Sequence, residues 1–379
     1  MNVLERSGAT SERAGVHFLC EKMGSHMKSQ RLLGGIAAGV LALGAAAPAQ
    51  ALTIELINTG GVEVGTAAYD GFRAAADFWE SVLLDDVTVR FNVGFTTDGF
   101  APTTLGSASS SSALVNKTVW ANAITADATT ALDASVIANL PGVQSNNVRL
   151  NTATIKALGL TSTVTSDATI RFNSARAFDF DTRDGFQGVA SDFVSVAVHE
   201  MGHALGFTSA VGQNTTNANT PSNTDLFRYK NGAWNLTWGG DPYFSIDGGA
   251  TEYLGNAGFS AGPDGFQTSH WREGGRIHDG VSCTILTEAQ VGIHDPTGGL
   301  CQQGIVTAQD MAIFDAMGWD LRFDILANPG FKWNTAQILD AYYGVGGIPE
   351  PTTWAMMIGG FGVVGGALRR RRSTQVTYA

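Results

Sequence analysis

His199-Glu200-Met201-Gly202-His203 is the stretch that decides how this chain of 379 residues is interpreted. On an α-helix, residues four positions apart lie on one face, so both imidazoles point in the same direction. They can share one zinc ion, because neutral imidazole is a preferred zinc ligand. Glu200 lies beside the first histidine, where its carboxylate can take a proton from a water that attacks a carbonyl group. The stretch therefore predicts a zinc site at His199 and His203, with Glu200 as the general base of a hydrolysis.

The surrounding residues favour a buried metal-binding helix over a surface helix that carries two histidines by chance. The preceding stretch 193–198 (FVSVAV) is too apolar for a surface helix. Gly202 and Ala204 are small, as a tightly packed helix requires, and Gly206 is a helix stop. We therefore predict a helix over residues 192–205 that ends where the chain must turn to supply a third ligand.

The remaining secondary-structure signals indicate an α+β domain. Apolar residues recur at helical spacing over residues 67–83 and 309–317, and residues 87–95 alternate like a strand. Residues 168–173 (ATIRFN) read as a second strand and a candidate edge for pairing with an extended peptide. Residues 103–112 are rich in Ser, Thr and Gly and are predicted to form a loop. Helix, strand, strand and metal-binding helix in this order suggest a twisted sheet stacked on helices.

The segment His199–Phe207 (HEMGHALGF) resembles the metzincin motif, HExxHxxGxxH or HExxHxxGxxD. In that motif the third ligand follows the second histidine by six residues, and this position holds Ser209. Serine is a poor zinc ligand, so the third ligand is expected farther along the chain. Leishmanolysin-type metzincins carry an insertion before their third histidine, which stands in a Ser-His-Trp context.

That context is present here as Ser269-His270-Trp271. The resemblance implies that His270 is the third zinc ligand and that residues 208–267 form the insertion before it. His278 and His294 are the competing candidates. For either of these two, the alternative is a surface histidine or one that supports the ligands.

Metzincins also place a methionine in a tight turn under the metal, and no methionine occurs between Trp271 and Asp310. The candidate turns are residues 283–287 (CTILT) and 292–296 (GIHDP). In the second turn His294 would stand where methionine is expected. The methionine packs beneath the metal and is not a ligand, so its replacement does not forbid activity but can alter metal affinity.

Further segments, Asp225–Tyr229, Asp247–Gly249 and Asp315–Asp320, resemble a bacterial family of inferred zinc metalloproteases that carry PEP-CTERM tails. This resemblance spans most of the chain after the leader. It implies a zincin domain of the metzincin-like type over residues 52–345, in which a twisted sheet, mostly antiparallel or mixed, packs on helices that include the metal-binding helix.

The N-terminal region has the three parts of a secretory signal peptide. A short basic start begins at Met27, an apolar run follows over residues 32–46, and Ala49-Gln50-Ala51 supplies the small-x-small cleavage pattern. We expect residues 27–51 to be removed and residues 1–26 to be an extension introduced in the gene model. The alternative for the apolar run is a buried helix.

The C-terminal segment 346–373 carries a second signal. Pro349-Glu350-Pro351 is followed by an uncharged run over residues 352–368, just long enough to span a bilayer, and then by Arg369–Arg372. This order resembles the PEP-CTERM sorting signal. The resemblance implies an exosortase partner in the inner membrane of a Gram-negative bacterium and delivery to the cell surface or the extracellular matrix. The alternative is a permanent membrane anchor.

The charge and cysteine content agree with export. Between residues 52 and 348 the chain carries 30 acidic and 14 basic residues, which argues against nucleic acid as a partner because phosphates need basic side chains. Outside the cytoplasm Cys283 and Cys301 can form a disulfide, although two separate thiols remain the alternative. The acidic residues 179–184 could hold calcium, but acidic turns are usually only solvated.

Together these features predict a secreted or surface zinc-dependent endopeptidase that acts on protein or peptide substrates. The alternative is a non-catalytic matrix or surface protein on a zincin scaffold. Ser209 and the missing methionine favour that alternative. The absence of a fourth ligand residue near the helix favours catalysis, because structural zinc sites are usually closed by four protein ligands.

Overall fold

The computed structural model describes residues 52–212, 220–274 and 290–345, all of them within one unit, Pro48–Ala379. The predicted signal peptide, the predicted sorting segment and two residues named above, His278 and Cys283, lie outside these ranges. Within the described ranges, no helix combines the length and the apolar character needed to cross a membrane. The predicted membrane-spanning run 352–368 lies outside them.

Strands and helices alternate along the described chain. The strands are β1 (Thr53–Asn58), β2 (Thr88–Thr96), β3 (Gly106–Ser110), β4 (Ser112–Asn116), β5 (Asn147–Asn151), β6 (Ala168–Asn173), β7 (Phe178–Asp179), β8 (Ser191–Asp192), β9 (Arg228–Lys230), β10 (Ala233–Trp234), β11 (Tyr243–Phe244), β12 (Ile305–Thr307) and β13 (Lys332–Asn334). The α-helices are α1 (Ala67–Val82), α2 (Lys117–Asp127), α3 (Ala131–Ala138), α4 (Thr152–Ala157), α5 (Phe193–Leu205), α6 (Ala308–Ala316) and α7 (Thr335–Tyr342). The predicted α+β class is therefore confirmed.

The main sheet has four strands in the order β1-β2-β6-β3. Strands β1, β2 and β6 are parallel, and β3 pairs antiparallel with β6, so the sheet is mixed. The smaller sheets are β10-β9-β11, β12-β13, β4-β5 and β7-β8.

Two predictions about this sheet are wrong. The strand at residues 168–173 forms, but as β6 it lies between β2 and β3 and has no free edge. Residues 103–112, predicted as a loop, contain the edge strand β3. The sequence of β3, GSASS, has no β-branched or aromatic residue, so its extended form depends on pairing with β6 and not on its own propensity.

Helices α1 and α5 pack together against the main sheet. The ring of Phe72 on α1 lies 4.8 Å from that of Phe172 on β6 and 5.3 Å from that of Phe193 on α5. A Cβ atom on Gly71 would approach the ring of Phe193 to 2.4 Å, so only glycine allows the helices to come this close. The indole N–H of Trp79 donates a hydrogen bond to the carbonyl of Val198 (3.2 Å). These contacts fix α5 within the core.

The bounds of α5 follow from its terminal residues. Asp192 is the N-cap, and its side chain accepts a hydrogen bond from the backbone N–H of Ser195 (3.0 Å). Gly206 ends the helix with a φ of 149°, a conformation that L side chains rarely adopt. The helix therefore covers residues 193–205 of the predicted 192–205.

A group of buried carboxylates lies away from the histidines, near the end of α2 and the end of α6. Burial, with a contribution from Asp320 nearby, raises the pKa of Asp85 to about 8 and that of Asp127 to about 7. Burial and the neighbouring Asp133 raise the pKa of Asp315 to about 8. The folded protein therefore keeps these protons at pH values where the unfolded chain has lost them.

These carboxylates should make stability fall as pH rises. Above about pH 4 the folded state binds more protons than the unfolded state, so the free energy of unfolding decreases until pH passes the folded pKa values of about 7–8. We expect urea unfolding of the metal-free protein to show a loss of at least about 1 kcal/mol between pH 6.5 and pH 8.5. Asp315→Asn should reduce this loss, and an equal pH dependence in both proteins would contradict the assignment.

Candidate metal centre

Helix α5 brings His199 and His203 to one point. Their Nε2 atoms lie 3.0 Å apart, and their rings meet nearly edge to face with an interplanar angle of 84°. The four-residue spacing is the cause, since residues i and i+4 lie one above the other on a helix. Both rings face a cleft of about 850 Å³ that Glu200 also lines.

His270 reaches the same point from a distant part of the chain. Its Nε2 lies 3.2 Å from Nε2 of His203, and its ring stacks on that of His199 at 5.2 Å. Two backbone hydrogen bonds fix the chain at His270. The carbonyl of His270 accepts from the N–H of Ser260 (3.0 Å), and the N–H of the next residue, Trp271, donates to the carbonyl of His294 (2.9 Å). Within the described ranges this trio of histidines is the one group of potential metal-ligand side chains whose ligand atoms all lie within 4.8 Å of one another.

The hydrogen bonds of the three rings leave their Nε2 lone pairs free. Nδ1 of His199 lies 2.7 Å from the carbonyl of Ile293, and Nδ1 of His203 lies 2.6 Å from that of Phe207. Nδ1 of His270 lies 3.1 Å from the carbonyl of Gln267. A carbonyl can only accept, so each Nδ1 carries the proton and each Nε2 presents a lone pair.

Three lone pairs that face one another repel unless a cation lies between them. Tetrahedral zinc with Zn–N bonds of 2.0–2.1 Å places two nitrogen ligands about 3.3 Å apart. The Nε2 atoms of His199 and His270 lie 3.0 Å and 3.2 Å from Nε2 of His203, which is close to this value. The residues present therefore fit a zinc ion.

The histidines are held in the neutral form that binds metal. Burial, together with the neighbouring histidines, lowers the pKa of His199 and of His203 well below the usual value. Burial likewise lowers the pKa of His270 to about 4. A proton therefore competes only weakly for these nitrogens at neutral pH.

Glu200 is only 8% exposed and lies in the wall of the cleft. Burial raises the pKa of its carboxyl group to about 8, and a hydrogen bond from the backbone of Ala108 opposes this shift. A cation at the three histidines would favour the carboxylate and lower that pKa. Near neutral pH the group is thus suited to both taking and giving a proton.

Strand β3 runs along α5 above the histidines. At its start, a Cβ atom on Gly106 would lie 3.1 Å from a methyl group of Val196. In the middle, the backbone of Ala108 contacts Glu200, and near the end the hydroxyl of Ser110 donates to the carbonyl of His203 (3.1 Å). The open edge of the main sheet therefore borders the cleft at the metal centre.

His294, one of the two other candidate ligands, does not join the group. His294 is fully buried beneath the trio, with its ring stacked on Phe207 at 4.0 Å and its Nδ1 3.0 Å from the carboxylate of Asp310. A Cβ atom on Gly202 would lie 1.9 Å from its Nε2, so the glycine makes room for the ring. The turn 292–296 therefore lies under the histidines, as predicted for one of the two candidate turns. His278 lies outside the described residues.

Sequence reasoning missed Asp310, which supports two of the ligand-bearing segments. Its carboxylate accepts from the indole N–H of Trp271 (2.8 Å) and from the backbone N–H of Ile293 (2.8 Å). The first contact fixes the neighbour of His270, and the second fixes the residue whose carbonyl holds His199. The capping-box pattern from Thr307 to Asp310 predicts a helix start at α6, but not that this carboxylate faces the metal centre.

The remaining sequence predictions concern calcium and the disulfide. Asp179 uses both carboxylate oxygens to accept from the backbone N–H groups of Asp181 and Gln187, and Asp181 pairs with Arg183 at 2.7 Å. The acidic loop is thus satisfied by its own chain, and nothing in it points to calcium. Cys301 is buried and disulfide-bonded. Its pairing with Cys283 stays a prediction, since Cys283 lies outside the described residues.

Comparison with known proteins identifies the C-terminal segment. Residues 347–372 match the family model of the PEP-CTERM protein-sorting motif, which confirms the predicted signal within one residue at each end. No curated protein and no solved structure matches the chain significantly. The motif is a sorting signal that exosortase recognises. The chain is therefore an exported protein with a PEP-CTERM sorting signal that directs it to the cell surface.

Proposed function

We propose that this protein is a zinc-dependent endopeptidase of the metzincin-like zincin class, which works outside the cell or on its surface. One observation carries the proposal: three neutral imidazoles converge through their Nε2 atoms beside Glu200 in an open cleft. A mixed sheet whose antiparallel edge strand borders that cleft supports the assignment to the zincin class.

His199, His203 and His270 would hold the zinc ion. When bound, zinc acts as a Lewis acid that polarises the substrate carbonyl and lowers the pKa of the attacking water. Three protein ligands leave one coordination position open, as catalytic sites require. The described residues offer no fourth ligand in this group, which favours catalysis over a closed structural site.

The other residues position the substrate and move protons. Glu200 takes the proton of the attacking water and passes it to the leaving amine, for which a pKa near neutrality is well suited. The outer edge of β3 could pair with an extended peptide and bring its scissile bond over the histidines. This role falls to β3 and not to the predicted edge at residues 168–173, which β3 covers.

The second candidate function is a non-catalytic surface protein on the same scaffold. The observation that favours it is His294 in the place where metzincins carry methionine. However, His294 stacks on Phe207 and contacts Asp310, so a packed ring takes the place of the methionine beneath the histidines.

Metal removal tests the proposed function. We expect the purified protein to contain one zinc ion per chain and to cleave casein, and we expect dialysis against a chelator to abolish cleavage. One equivalent of zinc should restore cleavage and raise the melting temperature, because a ligand that binds only the folded state stabilises it. A protein that binds zinc but cleaves no peptide would favour the non-catalytic candidate. A protein that binds no zinc would contradict the endopeptidase and leave only a non-catalytic protein on this scaffold.

A further inference from the structure

Arg149 lines the same cleft as the three histidines, at the end next to His203. It lies on β5, where Val148 and Leu150 point into the core and Arg149 is half-buried on the opposite face. Asn151 is two residues farther along the strand and therefore lies on the same face of β5 as Arg149. The amide of Asn151 donates to the carbonyl of His203 (2.9 Å), so this face of β5 is directed toward the metal centre.

The guanidinium of Arg149 has no acidic partner among the described residues. Two other half-buried cations are paired with carboxylates: Arg73 contacts Glu80 at 2.7 Å, and Lys156 contacts Asp167 at 2.6 Å. No ion pair or side-chain hydrogen bond of Arg149 occurs within the described ranges. A partly buried cation without a counter-ion is unusual, because burial removes part of its hydration.

The cleft wall around Arg149 is polar, uncharged and already hydrogen-bonded. The hydroxyl of Thr208 donates to the amide oxygen of Asn151 (3.0 Å) and lies 3.0 Å from the hydroxyl of Ser222. These side chains satisfy one another and leave Arg149 as the group that can accept a new partner. Among the described residues that line the cleft, Arg149 is the one Lys or Arg side chain. It therefore forms a local positive site in a strongly acidic protein, which would draw an anionic group into the cleft.

The strand register gives the distance along the chain between the reacting bond and Arg149. Ala108 lies at Glu200, four residues later Ser112 faces Asn151, and six residues later Leu114 faces Arg149 in the β4–β5 pair. At about 3.3 Å per residue these separations are about 13 Å and about 20 Å. A peptide that pairs antiparallel with β3 runs with its N-terminal half toward this end of the cleft. Arg149 would then meet a side chain about four to six residues before the cleaved bond.

We propose that Arg149 forms a subsite for an acidic side chain, so that the enzyme prefers substrates with Asp or Glu about four to six residues before the cleaved bond. The proposal rests on the proposed peptidase function and names the substrate class of that site. The contact would be a charge-assisted hydrogen bond between guanidinium and carboxylate, which is stronger than a neutral one.

The test uses the zinc-loaded full-length protein and matched fluorogenic peptides that differ only by Glu, Gln or Lys at the fourth, fifth or sixth residue before the bond. We expect kcat/KM for the Glu peptide to exceed that for the Gln peptide by about 10- to 100-fold. Arg149→Gln should remove this preference, so that the Glu and Gln peptides are cleaved with about equal kcat/KM. Arg149→Glu should reverse the preference toward Lys, and Arg90→Gln, which changes an exposed arginine on β2 outside the cleft, should change nothing.

Equal cleavage of the three peptides by the wild-type protein would overturn the subsite and leave the peptidase function standing. An equal loss of all three activities in Arg149→Gln would also overturn it, since that result indicates a structural role. Arg149→Lys keeps the charge without the planar fork, so we expect it to retain part of the Glu preference. Failure of the wild-type protein to cleave any peptide would overturn the subsite together with the proposed function.

Discussion

Glu200→Gln should lower peptide cleavage by about 1,000-fold while the protein keeps one zinc ion per chain. General base catalysis contributes a factor of about 100 to 10,000, and glutamine cannot take a proton from the attacking water. The three metal-binding nitrogens belong to other residues, so zinc binding should change little. Glutamine is also nearly isosteric with the protonated form of a carboxyl group whose pKa is about 8, so the fold should tolerate it.

The measurement combines kcat on a fluorogenic peptide with zinc content by atomic absorption. Glu55→Gln is the matched control, because it makes the same change at a largely exposed residue of β1 that pairs with Arg90. We expect the control to match the wild-type protein in both readouts. Cleavage by Glu200→Gln at the wild-type rate would show that the hydrolysis mechanism is wrong, and loss of zinc would show that Glu200 is itself a ligand.

The sequence predicts those residues of the site that lie on one helix. Spacing alone places His199, Glu200 and His203 on α5, because helix geometry relates residues four positions apart regardless of the rest of the fold. His270 was predicted from a resemblance and not from geometry, since no local rule relates His203 to a residue 67 positions away. The structure brings it to the other two histidines, and its role as a ligand stays a prediction.

The edge strand β3 was not predictable because its residues have no strand preference of their own. Ser and Gly signal a loop in isolation, and here the pairing with β6 overrides that signal. The same holds for the support beneath the metal. His294 and Asp310 are 16 residues apart, and only the tertiary fold reveals that the carboxylate of Asp310 contacts the ring of His294. Local patterns therefore give the candidate ligands on α5, while long-range packing gives the proposed substrate edge and the contacts beneath the histidines.

His270→Ala should cause the largest loss of zinc among substitutions outside α5. It removes one of three ligands, whereas outer supporting residues typically contribute 10- to 100-fold to metal affinity, so we expect affinity to fall by more than about 100-fold. The remaining two nitrogens, on one helix, cannot surround the ion. Zinc-dependent stabilisation should disappear with the zinc, while the metal-free variant keeps the fold, because the backbone of His270 is fixed by Ser260 and Trp271.

Dialysis followed by atomic absorption, with melting curves at increasing zinc concentration, measures this loss. His294→Asn is the matched control, since asparagine keeps a donor for Asp310 and removes the Nε2 nitrogen that lies near Gly202. His278→Ala tests the remaining candidate. Because His270 completes the trio among the described residues, we expect both variants to retain zinc more tightly than His270→Ala. If His294→Asn or His278→Ala lost zinc and His270→Ala kept it, the ligand set would be wrong, and the catalytic role of the cleft would need another metal centre.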